Sequence, residues 1–184
     1  MSVLVATVAL RIACVPAPAE LIKERYASIQ TLLGSGASTE VVTKAVGSAL
    51  DAVVDFPELG RMTMALHWTE LSPHDRTRFL DGFAALVKRQ FAAKVLSSRD
   101  LVLRVDREER HGETVRVVTN LAGKKSAIDI DFLFGRSGAA WKVFNLIIDD
   151  VDQGHAWGRS FDRSMRRGGI EEVLAKMARS HPSR

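Results

Sequence analysis

The sequence contains a single cysteine, Cys14, among 184 residues. One thiol cannot form an internal disulfide, so a small fold held together by disulfide bonds is excluded. Other catalytic signatures are missing as well: there is no G-x-S-x-G motif and no glycine-rich phosphate loop, and the five histidines are dispersed along the chain. The sequence therefore gives no support to a serine hydrolase or a nucleotide-dependent enzyme.

Clusters of metal-ligating residues are also scarce. Asp149, Asp150, Asp152 and His155 lie close together in the sequence, but no second histidine or cysteine accompanies them. Carboxylates grouped in a loop in this way are usually solvated. We therefore expect no metal and no other cofactor.

No long block of one charge sign is present. The formal net charge is +4, and the basic residues are scattered among acidic ones. A nucleic-acid interface requires a concentrated basic patch, whereas the chain has only the short cluster Arg163, Arg166 and Arg167. We expect no nucleic-acid partner. The cluster is either a solvated surface or an attraction site for anionic lipid headgroups or an acidic partner.

Long hydrophobic runs are absent except at the N-terminus. Segment 1–13 is apolar and is followed by a small-x-small cleavage site that ends at Ala19, which resembles the end of a secretory signal peptide. The segment is too short for a transmembrane helix. Because Arg11 interrupts it and no basic residue precedes it, a buried N-terminal strand or helix is the alternative. We expect residues 1–19 to be a signal peptide and residues 20–184 to form one domain.

The apolar spacing of the first half of the domain is helical. Apolar residues recur there at three- and four-residue steps, interrupted by glycine, proline or cap-type residues. The clearest start signal is Ser72-Pro73, an N-cap residue followed by proline at the first helical position. The first expected helix spans residues 20–33. Three more start at Ser38, Pro57 and Pro73, and a final helix follows Gly168-Gly169.

After Ser97 the apolar period changes from helical spacing to strict alternation. Four alternating segments follow, with polar turns near Gly112, at 123–125 and at 135–138. Consecutive strands with short turns form an antiparallel meander with one apolar face, and helices must cover that face. The sequence therefore predicts an α+β fold in which a four-stranded antiparallel meander sheet is roofed by about six helices.

Several strings in the chain are similar to a known family. Segments 55–59 (DFPEL), 66–68 (LHW) and 71–83 (LSPHDRTRFLDGF) resemble the central helical region of the MlaC/toluene-tolerance family, and 141–151 (WKVFNLIIDDV) resembles its fourth strand. The closing helices are similar too, so that the resemblance covers 21–176 in the family's order. No single motif is specific to the family, but the occurrence of all of them in the same order is.

The sequence departs from the family at two places in that strand. Phe144-Asn145 stands where Tyr-Asp is usual, and Asp150 stands where glycine is usual. The first departure removes a hydroxyl and a charge. Both departures therefore bear on the headgroup or acyl preference of the chain.

The resemblance implies a periplasmic lipid carrier that is not an enzyme. Such a carrier holds the acyl chains of a phospholipid-type cargo in an apolar slot between sheet and helices, and leaves the headgroup outside. It would be a monomer that shuttles lipid between an inner-membrane ABC lipid-transport complex and an outer-membrane lipoprotein/porin complex. Each buried methylene contributes about 0.8 kcal/mol, so acyl chains can be held without specific polar contacts.

The residues expected to line the slot come from the inward face of the sheet and from the helices above it. An ordinary packed core has the same pattern, and only the resemblance favours a slot. The expected lining residues are Val117, Ile128, Ile130, Phe132, Phe144, Leu146 and Ile148 on the sheet, and Phe56, Met62, Leu66, Phe83, Leu86, Val87 and Phe91 on the helices. The three tail arginines Arg163, Arg166 and Arg167 are expected to dock onto the transport partners.

Two alternative functions remain. A small cavity-containing enzyme of the isomerase or hydratase type needs a titratable group inside the slot. Alternation places Asp129 and Asp131 on the face away from Ile130, and it places Asn145 on the same outward face as Trp141. A ligand-free adaptor of a membrane complex is the other alternative, and it would have a dry core without a cavity.

Overall fold

A computed structural model of the protein describes residues 16–123 and 127–180. Segment 1–15, which holds most of the expected signal peptide, lies outside the described residues. Helix α1 (Pro18–Gly34) begins just before the boundary expected at Glu20, which therefore falls within its first turn.

The described residues form five helices and one antiparallel sheet. Helices α2 (Thr39–Val53), α3 (Phe56–Thr63) and α4 (Pro73–Ser97) follow α1 and precede the sheet, and α5 (Gln153–Arg179) follows it. The strands are β1 (Val102–His111), β2 (Thr114–Ala122), β3 (Ala127–Ser137), β4 (Ala140–Ile148) and β5 (Val151–Asp152), which lie in that order in the sheet. The predicted α+β class and the antiparallel meander are confirmed.

The structure differs from the prediction in three details of these elements. The described residues contain five helices where about six were expected. The sheet has a fifth, two-residue strand, because Asp149 and Asp150 adopt positive φ angles of 47° and 62° and turn the chain back onto β4. Helix α5 continues through Gly168 and Gly169, where its backbone is not helical. Gly169 has φ 63° and ψ −157°, a region open essentially to glycine alone, so α5 consists of two helical segments.

Local capping fixes the starts of four helices. The side chains of Ser38, Asp55, Ser72 and Asp152 each accept a hydrogen bond from a backbone N–H in the first turn of α2, α3, α4 and α5. Such a cap typically stabilises a helix by about 1 kcal/mol. No helix in the described part of the chain has the length and apolarity required to cross a membrane.

Strand β4 contains a β-bulge that the sequence pattern does not reveal. Leu133 of β3 pairs with Asn145, but the next residue, Phe134, pairs with Val143. Phe144 is therefore an extra residue without a partner in the ladder. The inward and outward positions of β4 exchange at this point.

The bulge corrects two predictions about β4. Trp141 does not share the outward face of Asn145, because it lies in the core beneath the helices and is only 8% exposed. Phe144 does not join the predicted slot lining: its ring lies against Gly135, where an added Cβ would be 3.3 Å from its Cδ1. Gly135 is adjacent to the buried Phe134 in β3, so it lies on the opposite, outward face of the sheet.

Asn145 joins β4 to the start of α5. Its Oδ1 accepts hydrogen bonds from the backbone N–H groups of Leu146 (2.9 Å) and Gly154 (3.0 Å), and its Nδ2 donates to Asp152 (3.0 Å). The side chain is 3% exposed. The asparagine that replaces the family's usual aspartate can donate as well as accept, and both functions are used here.

Candidate functional site

The apolar face of the sheet and the helices above it form one continuous core. Most of the predicted slot residues belong to this core, either fully or partly buried. They are Phe56, Phe83, Leu86, Val87, Phe91, Val117, Ile128, Ile130, Phe132, Leu146 and Ile148. The structure therefore brings together sheet and helix residues that are far apart in the sequence.

Burial along this face changes from one end to the other. Val115, Val117, Phe134 and Val143 are at most 2% exposed and form the closed end. At the other end several apolar side chains that pack on the core remain only partly buried. We call this set the half-buried stripe: Leu103, Val105, Leu121, Ile128, Phe132 and Ile148.

The strand register places the half-buried stripe on neighbouring positions of the sheet. Leu103 pairs with Leu121, which pairs with Ile128. Ile148 pairs with Ile130, next to this row. Val105 and Ile148 lie in the next row, on either side of the buried Thr119 and Ile130, and Phe132 lies between the buried Val117 and Leu146. The half-buried residues are therefore spread over β1 to β4, with covered residues between some of them. The β1 and β2 members were not among the predicted slot residues, although the alternation of these strands indicated an apolar face.

Helix α1 borders the stripe and has few fully buried side chains. It runs along the edge strand β1: the backbone N–H of Ala19 donates to Glu108 Oε1 at 2.7 Å, and the Tyr26 hydroxyl donates to the carbonyl of Leu101. Only Pro18, Ala19 and Ile22 of α1 are buried. Leu21, Ile29 and Leu33 add partly buried contacts, so α1 is held mainly by half-buried side chains.

The helical wall is closed at its centre by aromatic rings. Phe83 is fully buried, and its ring stacks on Phe79 with centroids 5.5 Å apart. Trp157 and Phe161 meet the Phe83 ring edge-on at 5.1 and 5.8 Å. Three of the predicted lining residues, Phe83, Leu86 and Val87, therefore pack against protein atoms here, as they would in a core.

Two further predicted lining residues, Met62 and Leu66, lie elsewhere. They line a groove of about 350 Å³ between the end of α3 and the start of α5, which we call the α3–α5 groove. Leu66 is 73% exposed and is not part of the core. The groove is lined by residues 62–67 and by Gly154, His155, Gly158, Arg159 and Asp162.

Two glycines allow α5 to approach its neighbours in this groove. A Cβ added at Gly158 would lie 3.0 Å from the carbonyl oxygen of Thr63, and one at Gly154 would lie 2.9 Å from Asn145 Oδ1. Both distances are shorter than ordinary contacts, so a larger residue would push α5 away. The sequence pattern of α5 alone did not identify these glycines as contact points.

His67 connects the two walls of the groove electrostatically. Its Nε2 lies 2.9 Å from Asp162 Oδ1 on α5, and its Nδ1 lies 3.2 Å from Glu70 Oε2. The hydrogen bond to Asp162 is the main cause that raises the pKa of His67 above its ordinary value of 6.5. The same contact, together with Arg166, lowers the pKa of Asp162.

We expect this pair to make stability depend on pH. Since the folded-state pKa of His67 is raised, the protonated pair contributes fully below pH 6.5, and its contribution is lost as the pH rises through the folded-state pKa. Urea unfolding measured across this range should show stability falling with pH in the wild type and a flatter profile in His67→Gln. His155→Gln, at a histidine whose side chain is 80% exposed, should keep the wild-type slope. An unchanged slope in His67→Gln would contradict the assignment.

The acidic residues of β3 lie outside the core face, as alternation predicted. Asp131 is 7% exposed and accepts a hydrogen bond from Arg116 Nε at 2.9 Å. Asp129 accepts from Asn120 at the same outward face. Within residues 16–123 and 127–180, no three His, Cys, Asp or Glu side chains are grouped to hold a metal ion.

The three tail arginines have different surroundings. Arg166 pairs with Asp162 at 3.1 Å, and Arg167 lies 3.6 Å from Glu172 across the kink of α5. Arg163 is exposed and forms no ion pair with any carboxylate in the described part of the chain. Of the three, Arg163 therefore has its full charge available to a partner.

Comparison with known structures identifies a similar fold. The chain superposes on the phospholipid-binding protein from Ralstonia solanacearum, which was solved in complex with a phospholipid, with a TM-score of 0.76. The sequences are 17% identical, and the match covers 86% of this chain and 93% of the other. At this identity the likeness concerns the fold.

Sequence comparison gives the family directly. None of the curated protein sequences matches the chain. The family model described as "MlaC protein" matches residues 24–179, which include all five strands and nearly all of the helical residues. The match covers most of the chain and includes both the half-buried stripe and the α3–α5 groove. The chain therefore belongs to the MlaC family.

Proposed function

We propose that the protein is a phospholipid carrier that holds acyl chains between the apolar face of its sheet and the helices above it. The observation that carries the proposal is the half-buried stripe, a set of apolar side chains on four strands that the helices cover only in part. Membership of the MlaC family and the phospholipid-bound relative in fold support the choice of cargo.

The stripe and the residues next to it would form the binding slot. Acyl chains would lie against Ile128, Phe132 and Ile148 and continue toward Phe56 and Phe91 of the helical wall, which are also only partly buried. A slot of this kind needs few polar contacts, since each buried methylene contributes about 0.8 kcal/mol. The headgroup would remain outside and add little specificity.

Loading would require α1 to move away from β1. Its two polar links, to Glu108 and to the carbonyl of Leu101, involve groups that water can satisfy once the helix has moved. The buried apolar anchor of α1 is small, whereas α4 and α5 are held by the aromatic cluster around Phe83. The slot would therefore open on the α1 side and leave the aromatic cluster intact.

In the cell, the carrier would work in the periplasm between an inner-membrane ABC lipid-transport complex and an outer-membrane lipoprotein/porin complex. It would contribute in this way to outer-membrane lipid asymmetry and to tolerance of solvents such as toluene. The cargo would be its only bound small molecule, and it would catalyse no reaction. Arg163, Arg166 and Arg167 would face these partners.

The proposal is tested by identifying what the protein carries. The full chain would be purified from a bacterial host without detergent, extracted with organic solvent and analysed by mass spectrometry, with circular dichroism to verify folding. We expect phospholipid close to one molecule per protein molecule. An empty extract from folded protein would contradict the proposal and favour an adaptor, whereas a small metabolite in place of lipid would favour an enzyme.

A further inference from the structure

The α3–α5 groove has an apolar side chain without a partner. Leu66 is 73% exposed, more than any other large apolar residue in the described part of the chain. It stands beside Met62 at the mouth of a groove of about 350 Å³. Methionine adapts its shape to different neighbours, so Met62 and Leu66 together give the groove an apolar wall that can fit an inserted apolar side chain.

The wall of the groove also contains an unsatisfied polar group. Thr63 is 4% exposed, and its Oγ1 has no hydrogen-bond partner among the described residues. This oxygen is shielded from the groove, so it is an unsatisfied group inside the wall and not a contact available to a ligand.

The rim of the groove carries free positive charge. Asp162 is the carboxylate of the lining, and both His67 and Arg166 already contact it. Arg159 lines the groove, and Arg163 lies four residues later on the same helix, so both point to the same side of α5. Neither forms an ion pair with another described residue, so the rim is complementary to an acidic ligand.

We propose that the α3–α5 groove is a docking site for an acidic segment of a partner protein that inserts one apolar side chain beside Leu66. Its carboxylates would pair with Arg159 and Arg163. This inference rests on the proposed function, because a carrier must dock onto the proteins that load and unload it. An acyl chain is a poorer occupant, since it would cover the charged rim without pairing it.

The test is a titration of the full-length, ¹⁵N-labelled protein with two short synthetic peptides, followed by NMR. Both peptides are rich in glutamate, and they differ only at the centre, where one has phenylalanine and the other serine. We expect the phenylalanine peptide to shift the resonances of residues 62–67 and 154–163. The serine peptide should bind with an affinity at least tenfold lower. Lipid content is measured on the same samples by mass spectrometry.

Variants identify the contribution of each part of the groove. Two variants should each lower the affinity for the phenylalanine peptide at least tenfold. They are Leu66→Asp and the double variant Arg159→Glu/Arg163→Glu. Val41→Asp and Arg104→Glu change similarly exposed residues on α2 and β1 and should leave binding unchanged. All four variants should carry as much phospholipid as the wild type, because none alters the half-buried stripe.

Several results would overturn the inference. One is the absence of groove shifts at about 1 mM peptide, the weak limit of useful affinity. Another is equal binding of the two peptides, which would mean unspecific charge attraction. Groove shifts with micelles of a short-chain phosphatidylglycerol but not with peptide would assign the groove to lipid. Concentration-dependent groove shifts without any peptide would assign the groove to a second copy of the chain.

The lipid measurement tests the carrier function separately. If the groove does not bind peptide but the samples contain phospholipid, only the docking inference fails. If the samples contain no phospholipid, the carrier function is contradicted, whatever the groove binds.

Discussion

Replacing Phe132 with aspartate is expected to remove nearly all bound phospholipid from a protein that still folds. Phe132 belongs to the half-buried stripe and lies between Val117 on β2 and Leu146 on β4. A carboxylate at this position would stand among acyl chains with no partner, which is costly for a charge or a polar group. The bound lipid would also lose the apolar contact of a whole phenyl ring, so both effects act against binding.

The matched control is Leu133→Asp. Leu133 is the next residue of β3 and is also partly buried, but it lies on the outward face beside Arg116 and Asn145. Each substitution should cost about 1–3 kcal/mol of stability, which leaves most proteins folded. Mass spectrometry of extracts and urea unfolding, carried out on both variants, separate lipid retention from folding.

Three outcomes distinguish a slot from an ordinary core at this position. Lipid lost in Phe132→Asp and kept in Leu133→Asp supports the slot. Equal loss of lipid in both variants would indicate a general loss of structure. Full retention in Phe132→Asp would mean that the acyl chains lie elsewhere, and the proposed slot would have to be abandoned.

The helices and strands could be predicted because their signals are local. The cap residues Ser38 and Ser72 and the proline at position 73 act within one helical turn, so the sequence shows them directly. The alternation in β2 and β3 is equally local, and it placed Val117, Ile130 and Phe132 on the correct face. These elements needed no knowledge of what they pack against.

The features that were missed depend on partners distant in the sequence. The bulge at Phe144 arises where β4 pairs with β3, and strict alternation of β4 alone places its ring on the wrong face. The spacing of Met62 and Leu66 predicts one helical face, but α3 ends at Thr63 and Leu66 lies in the turn that follows, opposite the start of α5. His67 and Asp162 meet across 95 residues, and no local pattern connects them.

The family resemblance contributed what pattern alone could not. The apolar spacing of Ile128, Ile130 and Phe132 fits a solid core as well as a slot, and the difference lies in how completely the helices cover them. Ile130 is 8% exposed, whereas its neighbours Ile128 and Phe132 are only partly buried. Such a difference in coverage depends on helix placement over several strands, so it becomes visible only in the folded protein.

Replacing Phe83 with alanine should produce the largest loss of stability of any single change considered. Phe83 is fully buried, and its ring contacts those of Phe79, Trp157 and Phe161. Removal of the ring leaves a cavity that the surrounding aromatic side chains cannot fill, and such changes cost about 3–5 kcal/mol. Urea unfolding monitored by circular dichroism would measure this loss.

The control on the same helix is Phe91→Ala. Phe91 is only partly buried, so its removal should cost less stability than the removal of Phe83. Its effect on cargo should be greater, because it lies on the part of the helical wall that we assign to the slot. We expect the extract of Phe91→Ala to contain less phospholipid or a different range of acyl lengths, and that of folded Phe83→Ala to resemble the wild type.

The reverse pattern would relocate the slot. If Phe83→Ala changed the cargo while costing less than about 1 kcal/mol, the aromatic cluster would itself have to open around lipid, because a permanently packed ring cannot be removed so cheaply. The α4–α5 wall would then be the movable one, and α1 would be the fixed one. If stability falls as expected and the cargo is unchanged, the cluster is the rigid support against which α1 opens.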